Sequence, residues 1–224
     1  MEWFQTPNYV EGRTEAIDLL VIHATRSGIA GNDDEPGTIN WFRNPKSKAS
    51  SHRLIGTHGA ESGFVADWDT AWHAGYLNAR SLGMEVCQPT EDAPFTPIQV
   101  VNTAVTVRTW CLVHGVPMVH ITDEDQRGVI GHDETEQGKS CGKSDPGYNW
   151  PWLGFIQLVQ EDDVTLAELQ AALTALEKKT TTIRQQESLH GAVSDNNMIA
   201  VIARLQLFGI LPRDVPLLKQ HLGD

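Results

Sequence analysis

Ala16–Thr25, AIDLLVIHAT, is the stretch that decides how this chain folds. Asp18 aside, the run up to Ile22 is apolar and includes β-branched Ile17, Val21 and Ile22. A short, nearly continuous apolar run of this kind reads as a strand buried on both faces. Its end delivers His23. A second stretch, Gly131–Pro146, GHDETEQGKSCGKSDP, opens with His132 and closes with Lys143-Ser144-Asp145-Pro146. One connecting segment thus carries an imidazole, a cation and a carboxylate. Two imidazoles and one carboxylate suffice to hold a catalytic zinc, with the fourth position left to water. The expectation is a fold that brings the strand end at His23 against this segment, with His23, His132 and Asp145 as metal ligands. Taken singly each has a plainer explanation, since histidines at strand ends are often only hydrogen-bonded and Asp-Pro is a common turn.

Outward from the first strand, residues 1–15 read as an irregular lead-in. SGIAGNDDEPG, rich in turn formers, reads as a mobile loop beside the site. Thr38 is placed to N-cap a short helix holding Ile39, Trp41 and Phe42. Ser51–Thr57 and Gly63–Trp68 read as strands of a hairpin joined by HGAES. Ala71–Gly75, AWHAG, leads to Ser81–Cys87, a strand with one carboxylate, Glu85, in apolar company. Pro97–His114 has helical periodicity, with Pro at its start and Gly115 after its end. Val116–Ile121 reads as a further strand, Gly128–Gly131 leads into His132, and Trp150–Gln160 reads as a closing helix. Strands interleaved with helices predict an α/β (α+β) domain, a mixed sheet flanked by helices, over residues 1–160. Beyond it, Thr165 begins an amphipathic pattern with Leu166, Leu169, Leu173 and Leu176 on one stripe. Residues 161–224 therefore read as a small helical appendage serving oligomerisation or targeting.

The chain has 224 residues, 40% of them hydrophobic and 21% charged, the composition of a globular protein. A formal charge of −12 argues against nucleic acid as a partner, because phosphate binding needs a clustered Lys/Arg surface. No apolar run is long enough to span a membrane. The first residues, MEWFQTPNYVEGRTE, have no basic start or apolar core of a secretory signal, which predicts synthesis in a cytoplasm. Cys87, Cys111 and Cys141 are odd in number and irregularly spaced, the pattern of reduced thiols.

Several segments together resemble a known family. Leu20-Val21-Ile22-His23-Ala24-Thr25, Ala71-Trp72-His73-Ala74-Gly75, Leu82-Gly83-Met84-Glu85-Val86, Gly131-His132-Asp133 and Lys143-Ser144-Asp145-Pro146-Gly147 occur in the order seen in zinc-dependent N-acetylmuramoyl-L-alanine amidases. These are the type-2 amidases, related to peptidoglycan recognition proteins and common as phage endolysins. Asn40-Trp41-Phe42 and Ala49-Ser50-Ser51-His52 are similar to the family as well. The resemblance spans roughly residues 16–155. It implies zinc in an exposed groove, held by His23, His132 and Asp145.

The resemblance further implies that Glu85 is the catalytic carboxylate and that Lys143 lies near the oxyanion. Zinc lowers the pKa of a bound water toward ~7. Glu85 would take the water proton and pass it to the leaving amine, and Lys143 would face charge growing on the carbonyl oxygen. Glu85 has a structural alternative, a buried carboxylate paired with Arg80 or a backbone amide. Cys141 competes with Asp145, because thiolate is a good zinc ligand and some relatives carry Cys at that place. Trp72 and His73 are implied as substrate contacts, with a structural imidazole the alternative at 73. His52 stands where some relatives have a catalytic tyrosine. The implied substrate is peptidoglycan or a soluble muropeptide. The expected activity is that of an endolysin made in the host cytoplasm and acting on the wall after release. A cytosolic recycling amidase and a non-catalytic peptidoglycan-binding module are the alternatives.

Overall fold

In the computed structural model, which describes residues 1–27 and 35–162 together with 170, 171 and 174, Leu19–Ala24 is an interior strand with every residue buried. In chain order the strands are β1 (Glu2–Trp3), β2 (Tyr9–Val10), β3 (Leu19–Ala24), β4 (Arg53–Ile55), β5 (Glu61–Gly63), β6 (Thr70–Ala71), β7 (Ser81–Val86) and β8 (Gly128–Gly131). The helices are α1 (Glu35–Arg43), α2 (Pro97–His114), α3 (Glu136–Ser140) and α4 (Trp152–Gln160), with single 3-10 segments at Gly75–Arg80 and His132–Glu134. Six strands form a mixed sheet in the order β1-β5-β4-β7-β3-β8, and β2 pairs with β6 in a separate ribbon. β3 runs parallel to both neighbours, from Leu19↔Ser81 to Ala24↔Val86 on β7 and from Leu19↔Gly128 to Ile22↔Gly131 on β8. The expected mixed sheet flanked by helices is thus the fold.

Strand alternation divides the interior into two layers. Leu20, Ile22 and Ala24 of β3 and Leu82, Met84 and Val86 of β7 face one core, with Val101, Ala104, Val107 and Trp110 of α2 and Phe155 and Leu158 of α4. Leu19 and Val21 face the other side, against Ala74, Leu77, Ile121 and Ile130. By the same alternation His23 shares a side with Leu19 and Val21, and its register partner Glu85 shares it with Ser81 and Gly83. The site face of the sheet is therefore the one that α2 does not cover.

α2 begins and ends where its residues dictate. The Thr96 side chain accepts a bond from Gln99 N and Gln99 Oε1 accepts one from Thr96 N, a capping box; Gly115 closes the helix at φ 65°. Other expectations are corrected. The lead-in is not wholly irregular, since β1 and β2 are two-residue strands too short to show periodicity. α1 starts at Glu35, with Pro36 in its first turn, so Glu35-Pro36-Gly37 is helix and Thr38 is a buried interior residue rather than the N-cap. The second hairpin strand is Glu61–Gly63, with Phe64–Trp68 beyond it irregular. Val116–Ile121 is not a strand, and only His120 bridges to Val129. Pro117 removes a ladder donor there. The rest of the loop expected at 27–37, and, apart from residues 170, 171 and 174, the helical pattern and domain division expected beyond 162, lie outside the described residues.

Candidate metal centre

His23 leaves the end of β3, His132 follows directly on β8, and Asp145 comes from the irregular segment after α3. Because β3 and β8 are hydrogen-bonded neighbours, residues more than a hundred positions apart arrive side by side. His23 Nδ1 lies 3.0 Å from His132 Nδ1, and each lies 3.3 Å from Asp145 Oδ2. All three side chains are buried. Four ligands held tetrahedrally at 2.0–2.1 Å from zinc are separated by roughly 3.3 Å, so this triangle has the edges of such a site. A proton on one ring nitrogen can point along only one edge of the triangle and leaves lone pairs opposed on another. A cation near its centre meets all three. The three residues thus form a buried cluster that can hold a metal ion.

The electrostatics suit that task. Burial, reinforced by the His132 ring, lowers the His23 pKa to about 4, so its imidazole is neutral at neutral pH. Burial alone would raise Asp145, but His132 and His23 beside it hold it below the ordinary carboxylate range. Neutral imidazole and ionised carboxylate are the forms that ligate metal.

Outer contacts fix each ligand. Gln137 Oε1 lies 2.9 Å from His132 Nε2, the ring nitrogen that faces away from the triangle. The Ala24 amide donates to Asp145 Oδ2 at 3.4 Å, and the Asp133 amide donates to Asp145 O at 2.8 Å. Arg26 donates to Ser144 O and Pro146 O, both at 3.0 Å, and so brackets Asp145 from either side; it also donates to Gln88 Oε1. The sequence reading missed Gln137 and Arg26. Gln137 sits on α3, whose start is signalled by Thr135, which accepts from Gly138 N at 2.8 Å, and by Glu136 in the first turn.

An open groove of about 660 Å³ runs over the triangle, and Trp41, Ser50, Trp72, Glu85 and Lys143 line it. Arg80 is not the partner of Glu85; it is committed to Asp18, at 2.7 and 3.0 Å. Cys141 is exposed at the end of α3 and is not among the clustered ligand atoms, so the carboxylate takes that corner. His52 is fully buried, bonded to Gly83 N at 2.9 Å and beside Arg13, away from the groove. It cannot stand in for a tyrosine facing substrate. His73 borders the groove, but its Nδ1 lies 3.0 Å from His23 Nε2.

The family model described as N-acetylmuramoyl-L-alanine amidase matches residues 13–148, well over half of the chain. The chain belongs to this family. Among solved structures, the fold of this amidase-family chain is similar to that of a selenomethionine derivative of AmpD, at 23% identity and TM-score 0.57, over 71% of this chain and 94% of that one. It is also similar to Staphylococcus aureus hydrolase AmiA in complex with its ligand, at 20% identity and TM-score 0.51, over 70% and 80%. The structure of PlyL gives 16% and 0.51, over 72% and 97%. No curated protein matches the chain significantly. No helix among the described residues is long and apolar enough to cross a membrane.

Proposed function

We propose that this chain is a zinc-dependent amidase that hydrolyses the bond between the lactyl group of N-acetylmuramic acid and L-alanine in peptidoglycan, acting as an endolysin. The observation that carries the reading is the His23–His132–Asp145 triangle opening into a groove beside Glu85. Zinc, when bound, acidifies water and polarises the substrate carbonyl. Glu85, the register partner of His23 and a groove-lining carboxylate, accepts the proton of the attacking water and returns it to the departing amine of alanine. Lys143, an exposed residue of the groove lining, offsets negative charge on the carbonyl oxygen. Trp72, half-buried in the groove wall, contacts the substrate. The complete ligand set argues against a module that only binds wall fragments.

One observation favours a second reading. A net charge of −12 suits a soluble muropeptide better than an anionic wall, as expected of a cytosolic recycling amidase. Mass spectrometry of zinc-loaded digests decides between them. Lactyl carboxylates and new alanine N-termini from intact sacculi support the endolysin, and the same products from soluble fragments alone support recycling. Cleavage of the glycan or within the stem peptide overturns both.

A further inference from the structure

We infer that His73 and Ser81 form a relay that holds His23 in the one tautomer able to bind metal, a role for His73 distinct from substrate contact. The inference rests on the metal centre proposed above. Each link follows from the number of protons available. The Ser81 hydroxyl donates its single proton to Leu77 O at 2.8 Å, and a carbonyl can only accept. The same oxygen lies 3.2 Å from His73 Nε2, so at that contact it accepts, and His73 carries its proton on Nε2. A neutral imidazole then has a lone pair on Nδ1. That Nδ1 faces His23 Nε2 at 3.0 Å, so His23 donates from Nε2. His23 Nδ1 is left with its lone pair, and Nδ1 is the atom at the corner of the triangle.

The sheet is shaped for this ring. A Cβ at Gly83 would lie 2.6 Å from His73 Cγ and 2.7 Å from Nδ1, so the imidazole occupies the space that a side chain on β7 would take. Ser81, Gly83 and Glu85 alternate onto the site face, and Gly83 is the gap across which the ring spans from Ser81 to His23. The Asn78 side chain secures the segment: its Oδ1 accepts from His73 N at 3.0 Å and from Ala74 N at 2.7 Å. His132 is oriented separately by Gln137, so each imidazole ligand has its own outer partner, an arrangement that in metal sites fixes ring orientation and affinity.

The test reads zinc binding and proton position, not turnover. In long-range ¹H–¹⁵N spectra of the zinc-loaded protein, His23 and His73 should both carry hydrogen on Nε2. In chelator competition His73→Leu should weaken zinc binding by about 10–100-fold. His73→Asn, whose amide oxygen can accept from His23 Nε2, should stay within about threefold of the wild type. Gly83→Ala, which keeps the imidazole but pushes it aside, should weaken zinc in the same direction. Hydrogen on His73 Nδ1 overturns the relay, as do equal affinities for the leucine variant and wild type. Equal losses in the leucine and asparagine variants also overturn it. Should His73→Leu fail to fold, the tautomer spectra of the wild type and the zinc affinity of Gly83→Ala still decide. Wall digests that reject the amidase reading leave these zinc and tautomer measurements intact, so the two failures are distinguishable.

Discussion

His23 and Glu85 are register partners on adjacent parallel strands, so the imidazole of the candidate metal cluster and the groove carboxylate project from the same face of the sheet. One belongs to the buried triangle and the other is half-buried in the groove wall. The expected division of labour is that Glu85→Gln retains zinc at full stoichiometry and loses activity by ~10²-fold or more. Zinc content by elemental analysis alongside muropeptide release checks it. Undiminished release would place the proton transfer elsewhere.

His132 is a buried corner of the triangle that follows β8. His132→Ala should therefore abolish zinc retention and wall clearing while leaving a folded protein. Zinc present at ~1,000 times its dissociation constant stabilises the native state by about 4 kcal/mol. The wild type should lose that increment on chelation, and the variant should show no zinc-dependent change in Tm.

Arg26 holds the segment carrying Asp145 through two carbonyls, one on either side of it. It does so with φ at 51°, a conformation uncommon outside glycine. Arg26→Ala should leave the ligand set intact but loosen the corner at Asp145, lowering zinc affinity by ~10-fold. Arg26→Lys should recover little, because a single ammonium lacks the planar fork that spans two acceptors. Competition titration against a chelator measures both. Affinity unchanged in Arg26→Ala would mean that the bonds of Asp145 itself suffice.

Metal-free protein should lose stability as pH falls from about 6.5 toward 4. Burial, the largest cause in each case, lowers His23 to about 4 and His52 and His73 well below the ordinary 6.5. The unfolded chain therefore binds protons in this range that the native state refuses. Stability is fully present above 6.5 and is lost as pH drops, by about 1.4 kcal/mol per pH unit for each such group. Asp133 acts in the opposite sense. Burial and the neighbouring Glu134 raise it to about 6, so the native state takes up its proton first and gains stability as pH falls below that value. It is one half-buried group against three imidazoles, and the imidazoles should win. Denaturant titration of chelated protein at pH 7.5 and pH 5.5 checks the sign.

The parts of this protein that were legible from sequence are those with length or order behind them. Leu19–Ala24 could be read because its apolar run is continuous, and Pro97–His114 because eighteen residues of helix carry both start and stop signals. The His23–His132–Asp145 cluster could be anticipated because its three residues lie in three of five motifs that follow a fixed order. What escaped was decided by tertiary contact. Two-residue strands such as Glu2–Trp3 have no period to detect. Val116–Ile121 has strand composition, but Pro117 denies it a ladder. The orientation of His73 depends on the missing side chain of Gly83, and the grip of Arg26 depends on carbonyls more than a hundred residues away.

β3 is an inner strand, fully covered and laddered to a neighbour along each edge. Backbone amides in such a position exchange with solvent only when the whole domain opens. One corner of the candidate metal cluster, His23, is thus anchored on this inner strand. Unlike a zinc finger, which is assembled by its metal, this domain has a core built independently of the cluster, so an ion bound there should be removable without unfolding. On the proposed function, chelation should abolish activity without unfolding the domain, and added zinc should restore it.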